Sequence, residues 1–114
     1  MLDIRFRTCF NDCHAINKRM LSFDPSDGPS GLQYISDILS WKVYVNMFKE
    51  ANAGDDFWKD EFGNNMVLDN DTLWSWDQPD NPETLPRGVK LHRGKLGDIP
   101  SEHEYQDAIF CVCE

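Results

Sequence analysis

The sequence has no long hydrophobic run, since none of its stretches approaches the roughly 18 apolar residues that a membrane span requires. Its first ten residues also lack the apolar core of a secretion signal, because Asp3, Arg5 and Arg7 interrupt them. These two absences predict a cytoplasmic protein that makes no membrane contact. In that reducing compartment, disulfide bonds are not expected.

Catalytic motifs are missing as well. The chain has no glycine-rich phosphate loop, no H-E-x-x-H and no G-x-S-x-G. Its histidines, His14, His92 and His103, are isolated from one another in sequence. Cys13 and His14 are adjacent, but a nucleophile and its base normally come from separate elements. The sequence therefore predicts a protein that is not an enzyme and needs no cofactor.

Aromatic residues, by contrast, are plentiful. The 114 residues include seven Phe and four Trp, and 40% of the chain is hydrophobic. Disordered acidic segments are poor in aromatic residues, so this composition favours a folded protein. The length fits one domain over residues 1–114.

The four cysteines form two clusters, one near each end of the sequence. A zinc site is one interpretation, with the four ligands Cys9, Cys13, Cys111 and Cys113. However, the C-x3-C and C-x-C spacings depart from the C-x2-C spacing common in zinc-binding knuckles. We therefore favour free cysteines that pack as small hydrophobic residues near paired terminal strands.

Hydrophobic periodicity predicts two terminal strands and a helix. Residues 2–10 alternate between apolar and polar side chains, and residues 108–113 alternate like a strand inside a sheet. Between them, apolar residues recur at helical spacing from Leu32 to Met47, after a capping sequence that begins at Ser30. We predict an α+β fold in which a small antiparallel sheet, containing both terminal strands, packs against one long helix at residues 31–52.

Residues 41–48 leave a second interpretation open. Their sequence, WKVYVNMF, alternates like a strand and is rich in β-branched and aromatic residues. We favour the single helix because no helix-breaking residue separates Leu39 from Trp41.

Positive charge is scarce in the middle of the sequence. Residues 55–83 contain nine acids and one base, which gives this segment a net charge of −8, against −9 for the whole chain. Like charges repel one another, so such clustering favours a role outside the fold. Carboxylates can occupy the Lys and Arg sites that hold phosphates, and tryptophan is a preferred interface anchor. The predicted partner contacts are Asp55, Asp56, Asp60, Glu61, Asp69, Asp71, Trp74, Trp76 and Asp77.

Two other binding sites fit the same segment. Residues 69–71 begin like a calcium-binding EF-hand loop, but Leu73 occupies the fifth position. Trp74, Trp76 and Asp77 would suit a sugar, because aromatic faces and carboxylates both contact carbohydrate. Three such residues beside a proline-rich loop are a generic combination, and we rank both sites below the carboxylate surface.

A basic stretch follows the acidic segment, with its charges at Arg87, Lys90, Arg93 and Lys95. It could fold back onto the acids and partly neutralise them. A dipolar surface that forms a homodimer is the other interpretation.

These features lead to a functional hypothesis. In composition only, the chain resembles phage-encoded inhibitors of nucleic-acid-binding enzymes, including anti-CRISPR and anti-restriction proteins. That resemblance implies an inhibitor, in the host cytoplasm, that presents phosphate-like carboxylates to the basic surface of a nucleic-acid-binding enzyme or complex. An acidic surface of this kind would be repelled by nucleic acid itself. The alternative is a zinc-stabilised structural or adaptor module with four cysteine ligands.

Overall fold

A three-stranded antiparallel sheet, ordered β1-β2-β3, is the centre of the molecule. The computed structural model describes residues 5–52, 58–66, 73–76, 78–79, 84–102 and 109–114. Its strands are β1 at Val43–Lys49, β2 at Arg87–His92 and β3 at Lys95–Pro100. Its helices are α1 at Phe6–Ala15 and α2 at Gly28–Leu39, and a 3-10 turn at Pro25–Asp27 precedes α2. No helix among these residues is long and apolar enough to cross a membrane.

Strands β2 and β3 form a tight hairpin. Arg93 and Gly94 make its two-residue turn, with φ angles of 51° and 77°, and positive φ at both positions matches the twist of hairpin strands. Inside the hairpin, Nη1 of Arg87 lies 3.9 Å from Oδ2 of Asp98, and both side chains are buried. The basic stretch therefore supplies β2 and its turn, and one of its charges is compensated within the hairpin.

Hydrophobic residues cover both faces of the sheet, because alternate β1 side chains enter two different cores. Val43, Val45 and Met47 enter the first core, which α2 closes with Leu32. Tyr44 enters the second core, where α1 packs. Burial on both faces explains why β1 is apolar almost throughout.

Helix α1 lies close to β2 at Gly88. A Cβ atom at this position would overlap the ring of Phe6, so only glycine leaves room for that ring. The Phe6 ring also packs edge-to-face on Tyr44, with the ring centroids 5.6 Å apart. This contact fixes the start of α1 against the sheet.

Two disulfide bonds attach α1 to residues 109–114. They join Cys9 to Cys111 and Cys13 to Cys113, and the Cα atoms of each pair are 5.5 Å apart, a usual separation for a disulfide. The prediction of free cysteines is therefore wrong. The zinc alternative is also wrong, because all four sulfurs are used in disulfides. The cytoplasmic localisation stays a prediction.

The predicted strand over residues 2–10 is wrong where the structure describes it, because α1 begins at Phe6. The buried side chains of α1 are Phe6, Cys9 and Cys13, which recur at helical spacing. The alternation of apolar residues was too short to separate a period of two from one of 3.6. Contact of the helical face with the second core decides between them.

The predicted helix over residues 31–52 is wrong as well. Helix α2 ends at Leu39, and Ser40 adopts a left-handed conformation with φ 61°. The chain then forms β1, which was the second interpretation of residues 41–48. Pairing with β2 buries Val43 and Val45 completely, and this tertiary gain outweighs the continuous helical pattern.

Residues 109–114 are extended but form none of the three strands. The N–H of Tyr44 donates to the carbonyl of Phe110 at 3.0 Å, and the N–H of Leu21 donates to the carbonyl of Val112 at 3.0 Å. These contacts are isolated bridges rather than a ladder. The predicted architecture, with both terminal strands in the sheet and one long helix packed against it, is therefore wrong.

Candidate functional site

A short segment beside β3 presents the most exposed large hydrophobic side chain that the structure describes. We call this segment, residues 73–76 and 78–79, the Trp76 turn. Its backbone is attached to β3, because the N–H of Leu96 donates to the carbonyl of Leu73 and the N–H of Ser75 donates to the carbonyl of Leu96, both at 2.8 Å. The turn is therefore positioned by the edge of the sheet.

The two tryptophans of this segment have opposite environments. Trp74 is only 7% exposed and packs against Trp58, with ring centroids 5.4 Å apart. Trp76 is 92% exposed. The N–H of Gln78 donates to the carbonyl of Ser75 at 3.0 Å, which closes a four-residue turn and carries Trp76 away from the core.

Gln78 brings a polar group to the same surface. Its Oε1 accepts a hydrogen bond from the N–H of Asp98 at 3.3 Å, so the side chain lies against β3. A Cβ atom at the neighbouring Gly97 would lie 3.7 Å from Oε1 of Gln78, which is an ordinary contact distance and confirms how close the amide is to β3. The peptide bond from Gln78 to Pro79 is cis. No pattern in the sequence predicted this contact between Gln78 and β3.

The predicted partner contacts have different outcomes. Asp60 uses its carboxylate locally. Its Oδ1 accepts from the N–H groups of Phe62 and Asn64, both at 2.9 Å, and its Oδ2 accepts from Nδ2 of Asn64 at 3.0 Å. This is the short-range bonding by which Asp stabilises turns, so the side chain serves the fold.

Glu61 is buried rather than outward-facing. Its side chain is 4% exposed, and its Oε1 lies 3.1 Å from Nε2 of His14 on α1. Its Oε2 accepts from the N–H of Met20 at 3.3 Å. A buried carboxylate needs such partners, and they explain the position of Glu61.

The remaining predicted contacts are two tryptophans, which the structure describes, and five acids, which it does not. Trp74 is a core residue, whereas Trp76 is exposed as an anchor would be. Five acids lie outside the described residues: Asp55, Asp56, Asp69, Asp71 and Asp77. A binding role for these five stays a prediction.

A cleft of about 360 Å³ opens beside α1. Arg19 and Glu114 form an ion pair at its edge, with Nε 3.6 Å from Oε1, and the guanidinium of Arg19 lies 5.4 Å from the ring centre of Phe62. The lining residues are His14, Asn17, Lys18, Arg19, Glu61, Phe62 and Glu114. Sequence reasoning missed this cleft, because nothing local signals contacts between residues 40 or more positions apart. Two pairs of opposite charge, Arg19 with Glu114 and His14 with Glu61, are already formed within the lining of the cleft.

Two ionisable groups away from the Trp76 turn have shifted pKa values. The pKa of Asp24 is lowered by the hydroxyl of Ser26, which donates to it at 2.7 Å, and then by the N–H of Ser26. The pKa of His92 is lowered by burial and then by the positive charges of Lys42, Arg93 and Lys90. The charges behind the lowered pKa of His92 locate a positive region at the end of the β2–β3 hairpin.

Similarity to known proteins is found in structure and not in sequence. No protein-family model and no curated protein sequence matches the chain. A C-type lectin, TC14, from the tunicate Polyandrocarpa misakiensis is 16% identical with a TM-score of 0.64, over 90% of this chain and 85% of that one. The carbohydrate-recognition domain of the mouse scavenger receptor C-type lectin is 15% identical with a TM-score of 0.65, over 91% and 78%.

A third similar structure is a calcium-independent type II antifreeze protein, 15% identical with a TM-score of 0.69, over 97% of this chain and 78% of that one. Two of these structures are named as a C-type lectin or as a C-type lectin carbohydrate-recognition domain, and the third as an antifreeze protein. They overturn the hypothesis of an anti-CRISPR-type inhibitor that mimics nucleic acid, and with it the basic nucleic-acid-binding partner. At these identities the similarity establishes the fold alone, and that fold is the one found in C-type lectins.

Proposed function

We propose that this protein is a non-enzymatic carbohydrate-binding domain and that the Trp76 turn is its binding surface. The observation that carries the proposal is the 92% exposure of Trp76 on a turn hydrogen-bonded to β3. Exposing so large an aromatic side chain forgoes the stabilisation that burial would give. A binding role supplies a reason for that cost.

Sugar chemistry fits the groups present on this surface. A saccharide has apolar C–H faces, which can lie on an indole ring, and hydroxyl groups, which need hydrogen-bond partners. Trp76 offers the ring, and the amide of Gln78 lies two residues away on the same turn. In the sequence, Asp77, Asp80 and Asn81 add further oxygen atoms nearby, although they are outside the described residues. A few polar groups around an apolar surface are typical of ligand sites.

The similar structures support this choice of ligand. Two of the three are named as a C-type lectin or a carbohydrate-recognition domain, and each matches about nine-tenths of this chain. The attachment of the Trp76 turn also supports it. A loop positioned by a rigid scaffold is where binding residues usually lie.

The test is a calorimetric titration with a panel of mono- and oligosaccharides. We expect at least one sugar to bind the wild type, and we expect Trp76→Ala to weaken that binding about tenfold or more, equivalent to about 1.4 kcal/mol. Trp41→Ala is the matched control, because Trp41 is also exposed (64%) but lies beyond the end of α2 and packs on Phe110. It should bind like the wild type.

Each titration is run with calcium chloride and with a chelator, because carboxylate and amide oxygens are calcium ligands. The two conditions show whether the acids of residues 77–83 take part through a metal ion. Equal binding by Trp76→Ala and wild type would contradict the proposed surface. Binding of no sugar under either condition would contradict the proposed ligand.

A further inference from the structure

The sulfurs of the two disulfides form one cluster. Cys9 and Cys13 lie one helical turn apart on α1, and Cys111 and Cys113 lie two positions apart in the extended segment. The sulfurs of Cys9, Cys13 and Cys111 all lie within 4.8 Å of one another. In particular, Sγ of Cys13 is 3.8 Å from Sγ of Cys111, and these two atoms belong to different disulfides.

This contact has a chemical consequence. Disulfides exchange when a thiolate attacks one sulfur of a disulfide and displaces the other. If the Cys13–Cys113 bond opens, the Cys13 sulfur is already in near van der Waals contact with a sulfur of the other disulfide. Attack needs a movement of less than 2 Å to reach bonding distance, about 2.05 Å.

Exposure decides where an external thiol can enter. Cys9 and Cys13 are fully buried, whereas Cys111 and Cys113 are partly exposed. An attacking thiolate therefore reaches the disulfides from the side of residues 109–114. Cys113 is the entry point that leaves the thiolate on Cys13.

We propose that the two disulfides form a single thiol–disulfide exchange site whose substrates are low-molecular-weight thiols and dithiols. A thiolate attacks Sγ of Cys113, forms a mixed disulfide with it and displaces the Cys13 thiolate. The Cys13 thiolate attacks Sγ of Cys111, forms a Cys13–Cys111 disulfide and displaces the Cys9 thiolate, which takes a proton. A second thiol releases Cys113 as a thiol and leaves with the first as their disulfide.

The electron balance is that of one disulfide reduction. Two external thiols are oxidised to a disulfide, and the protein gains two thiols, at Cys9 and Cys113, while one internal disulfide is retained. The Cys13–Cys111 bond still joins α1 to residues 109–114. Any form with one disulfide keeps α1 joined to residues 109–114, so the exchange changes which thiols are left. It moves one thiol from Cys13 to Cys9, which is fully buried among apolar neighbours, where cysteine packs as a small hydrophobic residue.

The variant Cys113→Ser tests the exchange step without any added reductant. It leaves the Cys13 thiol facing the intact Cys9–Cys111 disulfide. After incubation at mildly alkaline pH, the sample is quenched with acid, unfolded and alkylated, and the labelled cysteines are identified by peptide mass spectrometry. We expect the label at both Cys9 and Cys13. Label at Cys13 alone would overturn the proposal.

Cys13→Ser is the matched control. It leaves a thiol at Cys113, which is not in the group of three sulfurs that lie within 4.8 Å of one another. We expect the label at Cys113 alone. Equal redistribution of the label in both variants would show that exchange proceeds through general unfolding, and would also overturn the proposal.

The wild-type protein supplies a second measurement if either variant fails to fold. Folded wild type is treated with limiting dithiothreitol, quenched with acid, and its single-disulfide forms are mapped. The proposal predicts a species with a Cys13–Cys111 bond. Single-disulfide forms that contain only the original Cys9–Cys111 or Cys13–Cys113 bond would contradict it. Saccharide binding is not part of this readout, so failure of the proposed function leaves the test unaffected.

Discussion

Helix α1 and the Trp76 turn are attached to the same sheet by different means. Two disulfides hold α1 to residues 109–114, and the Phe6 ring fits over Gly88. Neither of these disulfides involves the Trp76 turn. Backbone hydrogen bonds to Leu96 and the burial of Leu73 and Trp74 hold it on β3. Helix α1 is therefore held by contacts that stabilise the fold. The Trp76 turn is held at Leu73–Ser75 and exposed at Trp76.

This difference separates the residues that maintain the fold from those available for binding. Hydrophobic and covalent contacts stabilise a structure without leaving groups for a ligand, whereas a turn fixed by its backbone leaves its side chains available. Trp74 and Trp76 show the two roles within three residues. The comparison predicts that changes on the α1 side alter stability, and that changes at the tip of the Trp76 turn alter binding.

The largest expected effect is on stability, when both disulfides are removed. Replacing all four cysteines by serine should cost about 4–5 kcal/mol from the loss of a cross-link closing a loop of about 100 residues. That is much of the 5–15 kcal/mol typical of a domain. Urea denaturation followed by circular dichroism measures the loss.

The matched variants remove one disulfide each, Cys9→Ser with Cys111→Ser, or Cys13→Ser with Cys113→Ser. Each should lose much less, because the remaining disulfide still closes the long loop. Single losses that add up to the full effect would show that the two cross-links act independently. They would thereby contradict the expectation that either disulfide alone is enough to hold α1 to residues 109–114.

The next largest effect is expected at Trp74. Trp74→Ala removes a buried ring that packs on Trp58, which should cost about 3–5 kcal/mol. Trp76→Ala, two residues away, should change the free energy of unfolding by about 0.5 kcal/mol or less, as is usual for surface substitutions. Thermal and urea denaturation of both variants provide the comparison. Equal destabilisation would mean that Trp76 is a structural residue.

A smaller effect is expected from overpacking the α1 side. Gly88→Ala places a methyl group where the Phe6 ring lies, and the displaced ring should cost about 1–3 kcal/mol. Saccharide binding by the folded fraction should not change, because Gly88 contacts α1 and not the Trp76 turn. A loss of affinity without a loss of stability would break the separation between the two regions.

Gln78→Ala should have an effect of similar or smaller size on stability, about 0.5–1.5 kcal/mol, because one hydrogen bond to the N–H of Asp98 is lost. Its effect on sugar affinity should exceed its effect on stability if the amide also contacts the ligand. Chemical denaturation and calorimetric titration of the same variant measure both. An unchanged affinity would restrict the binding surface to Trp76.

The smallest expected effect is electrostatic and belongs to neither region. Because the pKa of His92 is lowered in the folded protein, the unfolded chain binds the proton more readily, and this residue reduces stability as pH falls through about 6.5. An NMR titration should give a midpoint below 6.5. In Lys42→Gln the midpoint should rise, because one neighbouring positive charge is gone. A midpoint that stays the same would exclude that charge as a cause.

Part of this structure could be predicted from the sequence. The alternation of residues 41–48 indicated a strand as the second interpretation. Pairing with β2, about 40 residues further along the chain, decides for the strand over the helix. The left-handed conformation of Ser40 gives no strong sequence signal, since this position favours glycine or asparagine. The sequence did not predict α1, because its buried face includes Cys9 and Cys13. The burial of these two cysteines depends on their disulfide partners, which lie about 100 residues away.

For the candidate site, the sequence selected Trp76 first as an anchor for a basic protein surface, and it ranked a sugar site at Trp74, Trp76 and Asp77 below that surface. Trp76 was selected as an anchor, and it is exposed. Trp74 was selected on the same grounds, and it is buried on Trp58. Composition cannot separate two tryptophans two positions apart, because the turn between Ser75 and Gln78 decides which of them leaves the core. Asp60 and Glu61 were chosen for their charge. The fold uses Asp60 in a turn and pairs the buried Glu61 carboxylate with the half-exposed His14.

Indole N–H resonances test the central claim most directly, because the chain has four tryptophans and each contributes one signal. A saccharide selected by calorimetry is titrated into labelled protein and followed by two-dimensional NMR, with assignments from single Trp variants. The account predicts that the Trp76 signal shifts most, while the signals of Trp41 and the buried Trp58 stay in place. A sugar that binds and leaves Trp76 unshifted, or that shifts Trp41 instead, would contradict it.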